Sequence, residues 1–185
     1  MEYTRRIFAG LVVAGAGGYV WWEREAPVAA AGPSRVRIAE FDDGGRKIGE
    51  AEVGVTRRSN AEWMKLLPAD SYSVTRLGDT EIAGTGRYDH FYGEGIYRCV
   101  CCATALFSSK AKYASGTGWP SFTDPIAREN VREAVSAYFG MRETEVKCAR
   151  CEGHLGHVFD DGPPPGNTRY CINSVALRFV EHNLT

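Results

Sequence analysis

The sequence Arg169-Tyr170-Cys171-Ile172-Asn173-Ser174 opens a run of alternating apolar residues, typical of a β-strand, that continues to Val180. Side chains of a strand alternate between two faces, so Arg169, Cys171 and Asn173 are predicted to project from one face. That face would carry a thiol beside a guanidinium, which stabilises the thiolate form that acts as a nucleophile. Cys171 is therefore a candidate catalytic cysteine. The alternative is a small buried apolar residue, because free cysteines are among the most buried residue types.

Length and composition indicate one globular domain with an appendage. The chain has 185 residues, of which 44% are hydrophobic and 24% are charged, as in ordinary globular proteins. Its formal net charge is −1, and no basic block stands out. A nucleic-acid partner usually requires a cationic face, so we expect no nucleic acid to bind.

Residues 1–35 have the features of an export signal or a membrane anchor followed by a linker. Arg5 and Arg6 precede sixteen uncharged residues, 7–22, a run that is short for a membrane span of about 20 residues. Residues 29–31 supply a small-residue cleavage pattern. The arginine pair resembles a twin-arginine export signal, and the alternative is an uncleaved membrane anchor. In either case we expect the domain to work outside the cytoplasm, in the periplasm.

The remaining residues, 36–185, are predicted to form a mainly β domain with one or two short peripheral helices. Residues 36–53 have the pattern of a hairpin around the turn at 42–45. Ser59 and Glu62 have the spacing of a capping box that begins a short helix. Further strands are predicted at Gly95–Val100, Leu106–Phe107, Val131–Phe139, Glu145–Lys147, Val158–Phe159 and Cys171–Val180.

Four of the six cysteines form two C-x-x-C pairs separated by 45 residues, Cys99 with Cys102 and Cys148 with Cys151. Each C-x-x-C turn presents two sulfurs to one ion, so two turns complete a tetrahedral zinc site built as zinc knuckles. Two alternatives remain open at this point. The pairs could be disulfides or one redox-active pair, and two histidines, His154 and His157, could replace one cysteine pair.

Three longer motifs connect the chain to a known family. They are the run Ala114–Phe122 (ASGTGWPSF), the run Cys148–Pro165 (CARCEGHLGHVFDDGPPP) and the run Arg169–Ser174 (RYCINS). Together they resemble the zinc-containing branch of the B-type methionine sulfoxide reductases, over roughly residues 60–179. The resemblance implies two antiparallel sheets, an active site on one of them, one structural zinc ion per chain and reduction of the R epimer of methionine sulfoxide.

The resemblance also assigns roles that agree with the chemistry. A sulfoxide is a poor electrophile until its oxygen is protonated, so a nucleophile and an acid must face it together. Cys171 would attack the sulfur and become a sulfenic acid. His157 would supply the proton, and His154 would orient the oxygen or polarise it. Each histidine taken alone would favour a structural role, and the resemblance favours function.

Three further residues are expected to complete the site. Asn173 and Arg169 would hold the oxygen and keep the thiolate charged. Trp119 would form the wall against which the substrate methyl group packs, because sulfur and methyl groups contact aromatic faces well. Without the resemblance, Trp119 in its Trp-Pro-Ser-Phe context would be taken as a core aromatic.

The chain departs from many relatives in having Thr117 where they hold a second, resolving cysteine, and Cys101 is an extra thiol inside the first pair. We therefore expect an external, thioredoxin-like thiol donor to regenerate Cys171. Oxidised proteins or free methionine sulfoxide are the expected substrates of a monomeric enzyme. Two other hypotheses are a noncatalytic zinc-ribbon module and a periplasmic thiol–disulfide protein that uses its C-x-x-C pairs.

Overall fold

The computed structural model of the chain describes residues 32–138 and 141–182. The predicted export signal or anchor falls almost entirely in residues 1–31, outside the described residues. No helix in the described ranges is long and apolar enough to cross a membrane.

Strands dominate the described residues, and the helical segments are short. The strands are β1 (Arg35–Phe41), β2 (Lys47–Gly54), β3 (Gly95–Cys99), β4 (Ala105–Ser108), β5 (Lys112–Tyr113), β6 (Ser121–Phe122), β7 (Val131–Tyr138), β8 (Met141–Cys148), β9 (His154–Phe159), β10 (Arg169–Ile172) and β11 (Leu177–Glu181). The helical segments are α1 (Asn60–Leu66), α2 (Ala69–Tyr72), a π-helical turn (Ser73–Leu77) and 3₁₀ turns at Ser109–Ala111, Arg128–Asn130 and Ser174–Ala176. The predicted capping box at Ser59 and Glu62 is present at the start of α1.

The strands form antiparallel sheets, which confirms the predicted fold class. The larger sheet has the order β5-β6-β10-β9-β8-β7, and a second sheet has the order β11-β3-β4. The predicted hairpin, β1-β2, forms a third, two-stranded sheet. The fully buried Asn130 joins this hairpin to the rest of the fold. Its amide exchanges two hydrogen bonds of 2.8 Å with the backbone of Ala39 and donates another to the carbonyl of Ala105.

The predicted continuous strand from Cys171 to Val180 is wrong. β10 ends at Ile172 in the large sheet, a 3₁₀ turn follows, and β11 begins at Leu177 in the three-stranded sheet. The interruption has a hydrogen-bonding cause. The backbone N–H of Asn173 bonds the carbonyl of Leu155 at 2.9 Å, and the next two N–H groups bond the carboxylate of Glu81. These groups are therefore unavailable to a strand ladder.

An aromatic core lies behind the large sheet and fixes the direction in which β10 faces. Phe122 is completely buried, stacks on Phe107 at 4.5 Å and meets the ring of Tyr97 at 5.1 Å. Tyr170 of β10 pairs with Phe122 across the sheet and is also buried. Because side chains alternate along a strand, the burial of Tyr170 turns its neighbour Cys171 to the opposite face.

Candidate active site and metal site

The register of the large sheet places four chemically important side chains in one row. Cys171 of β10 lies opposite Ser121 of β6 on one side and His157 of β9 on the other. His157 in turn lies opposite Glu145 of β8. Directly opposed residues share a face, and neighbouring strands are about 4.8 Å apart. The sheet therefore brings the candidate nucleophile and the candidate acid side by side.

A β-bulge brings the second histidine to the same face. Val146 of β8 pairs with Gly156, but the next residue of β8 pairs with His154, so Leu155 is an extra residue in β9. In a regular strand, residues three apart point to opposite faces. The bulge reverses that relation, and the rings of His154 and His157 lie 5.3 Å apart. The two histidines thus belong to a bulged strand, and bulges are common beside active sites.

Gly156, between the two histidines, allows β9 to approach β10 closely. It has a φ of +156°, and a Cβ atom placed on it would lie 2.1 Å from the carbonyl oxygen of Cys171. The same Cβ would lie 3.0 Å from the Cα of Ile172. Only glycine fits this approach, so the position of His157 relative to Cys171 depends on the absence of a side chain here.

Glu145 is a partner of His154 that the sequence analysis did not identify. Its Oε1 lies 2.7 Å from Nδ1 of the buried His154. Burial lowers the pKa of His154 below its ordinary value of 6.5, although the hydrogen bond that His154 donates to Glu145 acts in the opposite direction. The ring is therefore mainly neutral at neutral pH. With its Nδ1–H donated to Glu145, the ring carries its lone pair on Nε2, which has no hydrogen-bond partner within the described residues.

The thiol of Cys171 is half-buried, and its environment favours the protonated form. Burial raises the pKa of Cys171 above the ordinary thiol value of 9.0, while the Arg169 charge and hydrogen bonds from Thr117 and Arg169 lower it by less. The thiol is therefore protonated at neutral pH in the substrate-free protein. This differs from the expectation that Arg169 keeps Cys171 ionised.

Arg169 is held in an ion pair beside Cys171. Its guanidinium makes two hydrogen bonds to the carboxylate of Asp161, at 2.7 and 2.8 Å, and lies 4.3 Å from the ring centre of Phe159. The carboxylate raises the pKa of Arg169, and its charge opposes the effect of Arg169 on Cys171 only slightly, so burial is the main cause of the raised pKa of Cys171. Arg169 is thus fixed beside the nucleophile as one half of an ion pair.

Cys171 opens into a shallow surface pocket. Seven residues line it: Thr80, Trp119, Gly156, His157, Phe159, Cys171 and Asn173. The indole Nε1–H of the half-buried Trp119 donates to the carbonyl of Glu81 at 3.1 Å, which fixes the plane of the ring. The core aromatic of the Trp-Pro-Ser-Phe motif is Phe122, whereas Trp119 forms a pocket wall.

Asn173 belongs to the pocket wall, although it lies beyond the end of β10. Its Oδ1 accepts a hydrogen bond from the backbone N–H of Glu81 at 2.9 Å, and its Nδ2 donates to the carbonyl of Leu155 at 3.0 Å. Both ends of the amide therefore bind backbone groups. The structure places Asn173 near Cys171 as expected, with its amide joining the loop at Glu81 to strand β9.

The four knuckle cysteines meet at one point. The sulfur atoms of Cys99, Cys102, Cys148 and Cys151 all lie within 4.8 Å of one another. The closest pairs are Cys99 with Cys151 at 3.6 Å and Cys102 with Cys148 at 3.5 Å. A tetrahedron of thiolates with Zn–S bonds of about 2.3 Å has edges of about 3.8 Å, so the cluster has the size of a zinc site. All six cysteines are free thiols, so the two pairs do not form disulfides. His154 and His157 lie in strand β9 of the large sheet, so neither histidine replaces a cysteine in the cluster.

The electrostatics of the cluster also favour a bound cation. A hydrogen bond with Cys148 strongly lowers the pKa of Cys102. The other sulfurs, that of Cys101 first, raise the pKa of Cys99, and they also raise the pKa of Cys151 against a smaller opposing effect of Cys99. The thiols therefore cannot all ionise together unless a positive charge lies among them. An all-sulfur, tetrahedral donor set suits Zn²⁺, and a metal held there would join the ends of β3 and β8.

Comparison with known proteins agrees with this arrangement. The model of the SelR domain family matches residues 67–181. The chain is 51% identical over 122 residues to the peptide methionine sulfoxide reductase MsrB of Herminiimonas arsenicoxydans, a match that covers 66% of this chain and 89% of the relative. It is 51% identical over 119 residues to the MsrB of Pseudomonas fluorescens Pf-5, covering 64% and 92%. For the MsrB of Synechococcus sp. RCC307 the identity is 46% over 123 residues, covering 66% and 90%.

The matched region begins before the π-helical turn and ends with β11, so it contains the large-sheet row, the pocket and all four knuckle cysteines. A family model that covers more than half of the chain, together with relatives matched over nearly their whole length, settles its membership. The chain belongs to the SelR-domain family of oxidoreductases, the B-type peptide methionine sulfoxide reductases.

Proposed function

We propose that this protein reduces the R epimer of methionine sulfoxide to methionine, with Cys171 as its nucleophile. The observation that carries the proposal is the row in which Cys171 lies directly opposite His157, beneath a pocket that has Trp119 as one wall. A methyl group packed on Trp119 would leave the sulfoxide sulfur facing the thiol and the oxygen facing the histidines. Aromatic faces are favourable partners for sulfur and methyl groups.

The first step transfers the sulfoxide oxygen to Cys171. The Cys171 sulfur attacks the sulfoxide sulfur, the oxygen then moves to the Cys171 sulfur as its bond to the substrate sulfur and the transient sulfur–sulfur bond break, and the products are methionine and a sulfenic acid on Cys171. The resting thiol is protonated, so its proton balances this reaction: His157 accepts it from sulfur and delivers it to the sulfoxide oxygen. His154, held by Glu145, orients that oxygen, and Arg169 supplies residual positive potential beside the sulfur.

The second step requires a thiol from another molecule. A donor thiol condenses with the sulfenic acid, water leaves, and a second donor thiol then displaces the mixed disulfide to restore Cys171. Thr117, whose side chain lowers the pKa of Cys171 and whose hydroxyl lies 2.9 Å from the hydroxyl of Ser115, offers no thiol for this purpose. A thioredoxin-like dithiol supplies both electrons in one encounter.

Cys101 is too far away to replace the donor. It lies in the knuckle, where its thiol donates to the hydroxyl of Thr75 at 3.4 Å. Cys148 of that knuckle is three residues along β8 from Glu145, which is two strands away from Cys171. Three residues along a strand and two strand spacings separate Cys148 from Cys171 by about 10 Å along the sheet and about 10 Å across it.

We assign the knuckle one structural zinc ion. Cys99, Cys102, Cys148 and Cys151 would hold it, and the metal would stabilise the fold rather than take part in the reaction. We further propose that residues 1–35 direct the domain of residues 36–185 out of the cytoplasm, where it acts as a monomer on oxidised proteins and on free methionine sulfoxide. Export that persists after replacement of Arg5 and Arg6 by lysine would contradict the twin-arginine route.

The reductase reaction is tested with each pure sulfoxide epimer and dithiothreitol. Wild-type protein should convert the R epimer only. Cys171→Ser should abolish turnover while retaining the fold and the metal, and His157→Ala should lower kcat by about 10²-fold, the usual range for general acid catalysis. Turnover of the S epimer, or residual activity of Cys171→Ser near the wild-type level, would refute the proposal.

The regeneration step is tested by one turnover without reductant. Wild-type protein should lose one thiol and form a dimedone adduct on Cys171. The matched variant Thr117→Cys places a thiol at a position whose side chain lowers the pKa of Cys171, so it should lose two thiols and give no adduct. Loss of two thiols from the wild-type protein, with release of metal, would assign the resolving role to Cys101 instead.

A further inference from the structure

Glu81 connects two residues that line the pocket, Trp119 and Asn173. Its carbonyl oxygen accepts the indole N–H of Trp119 at 3.1 Å. Its backbone N–H donates to Oδ1 of Asn173 at 2.9 Å. One peptide segment therefore holds the aromatic wall on one side and the residue that follows β10 on the other.

The side chain of Glu81 fixes this segment in place. Oε1 accepts the backbone N–H of Ser174 at 2.7 Å, and Oε2 accepts that of Val175 at 3.1 Å. Hydrogen bonds to a carboxylate are roughly twice as strong as those between neutral groups. Glu81 is half-buried, so these two bonds are partly protected from water.

The surroundings of Glu81 leave it little room to shift. A Cβ atom on Gly86 would lie 2.5 Å from Oε1 of Glu81 and 2.3 Å from Oγ of Ser174. The same Oγ accepts the backbone N–H of Tyr88 at 3.2 Å. A further backbone bond of 2.8 Å, from Gly84 to the carbonyl of Gly118, ties the segment to the residue before Trp119.

We propose that Glu81 is a positioning residue that sets the separation between Trp119 and Cys171 and thereby restricts the pocket to a small S-alkyl group. The carboxylate binds the backbone N–H groups of Ser174 and Val175, just beyond the strand that carries Cys171. The carbonyl of Glu81 binds the indole of Trp119. Loss of the carboxylate frees the segment, and with it the indole, to move away from the sulfur. The proposal rests on the proposed reductase function, since the selectivity it predicts is read from that reaction.

The test compares two substrates that differ by one methylene group, the R sulfoxides of methionine and ethionine. A methylene in an apolar pocket is worth on the order of 10-fold or more in kcat/KM, so wild-type protein should prefer the methyl substrate by about that factor. Glu81→Ala should lose most of the preference. Glu81→Gln keeps one acceptor oxygen and should give an intermediate value. Asp79→Asn, which removes an exposed carboxylate from the same segment, is the matched control and should retain the preference.

A second readout does not depend on activity. The ¹H–¹⁵N signal of the Trp119 indole, assigned with Trp119→Phe, should move upfield in Glu81→Ala as its hydrogen bond weakens, and should stay in place in Asp79→Asn. If Glu81→Ala loses kcat/KM equally on both substrates and its indole signal does not move, Glu81 only stabilises the fold. That result would overturn the proposal. If Glu81→Ala does not fold, the same two measurements on Glu81→Gln decide. A wild-type protein without reductase activity would refute the proposed function, whereas the indole signal would still decide whether Glu81 positions Trp119.

Discussion

Replacement of Gly156 by alanine tests the closest backbone approach in the active site. The added Cβ would meet the carbonyl oxygen of Cys171 at 2.1 Å, so β9 and β10 must separate at the point where His157 faces Cys171. Inserting a methyl group where there is no space typically costs about 1–3 kcal/mol. A non-glycine residue in a sparsely populated backbone region costs about 1–3 kcal/mol more. We therefore expect the free energy of unfolding to fall by about 2–6 kcal/mol, a large part of the 5–15 kcal/mol typical of a domain.

The assay is urea denaturation of the metal-loaded, reduced protein, followed by circular dichroism, with two alanine variants as controls. Gly49 lies in β2 with nothing within 4 Å of its Cβ position, so Gly49→Ala should change stability by about 0.5 kcal/mol or less. Gly116 has a φ of +75° and open space around it, so Gly116→Ala isolates the backbone strain at about 1 kcal/mol. If Gly156→Ala costs no more than Gly116→Ala, the close contact between β9 and β10 does not exist as described.

Three further predictions follow from the site. Glu145→Gln removes the partner that raises the pKa of His154, so the acid limb of the kcat/KM profile should move to lower pH; an unmoved limb would separate His154 from the reaction. Cys148→Ser should bind less than the expected one zinc ion per chain by elemental analysis and should lose native circular dichroism, whereas a stable metal-free protein would contradict the structural role. Thr117→Val removes a hydrogen bond that lowers the pKa of Cys171, so alkylation by iodoacetamide at pH 8 should slow, and an unchanged rate would show that the bond is absent.

Local and repeated signals in the sequence predicted much of the fold. The hairpin of residues 36–53 and the helix that begins at Ser59 depend on turn and capping residues within a few positions of each other, and both are present. The zinc knuckles were predictable for a similar reason, because each C-x-x-C turn prepares half of the site by itself. The identity of the site residues came from the ordered motifs around Trp119 and Cys171.

Features that depend on pairing between distant segments could not be predicted in the same way. His154 and His157 share a face only because Leu155 is bulged against β8, and no local pattern marks that residue. Glu145 becomes important only through the same register. The strand predicted from Cys171 to Val180 breaks because Glu81, more than 90 positions away, takes two of its backbone N–H groups. Periodicity alone carries no information about such a partner.

The protonated state of the resting Cys171 thiol has a consequence for its reactivity in the proposed reaction. Burial raises the pKa of Cys171 by more than the Arg169 guanidinium, which is paired with Asp161, lowers it, so the resting thiol stays protonated. A protonated thiol reacts slowly with peroxides and disulfides, because the thiolate is the reactive form. In the proposed reaction, ionisation waits for a proton acceptor, and His157 would take the proton and pass it to the oxygen of a bound sulfoxide. The burial that weakens Cys171 as a free nucleophile would thus favour its oxidation by a substrate already bound in the pocket.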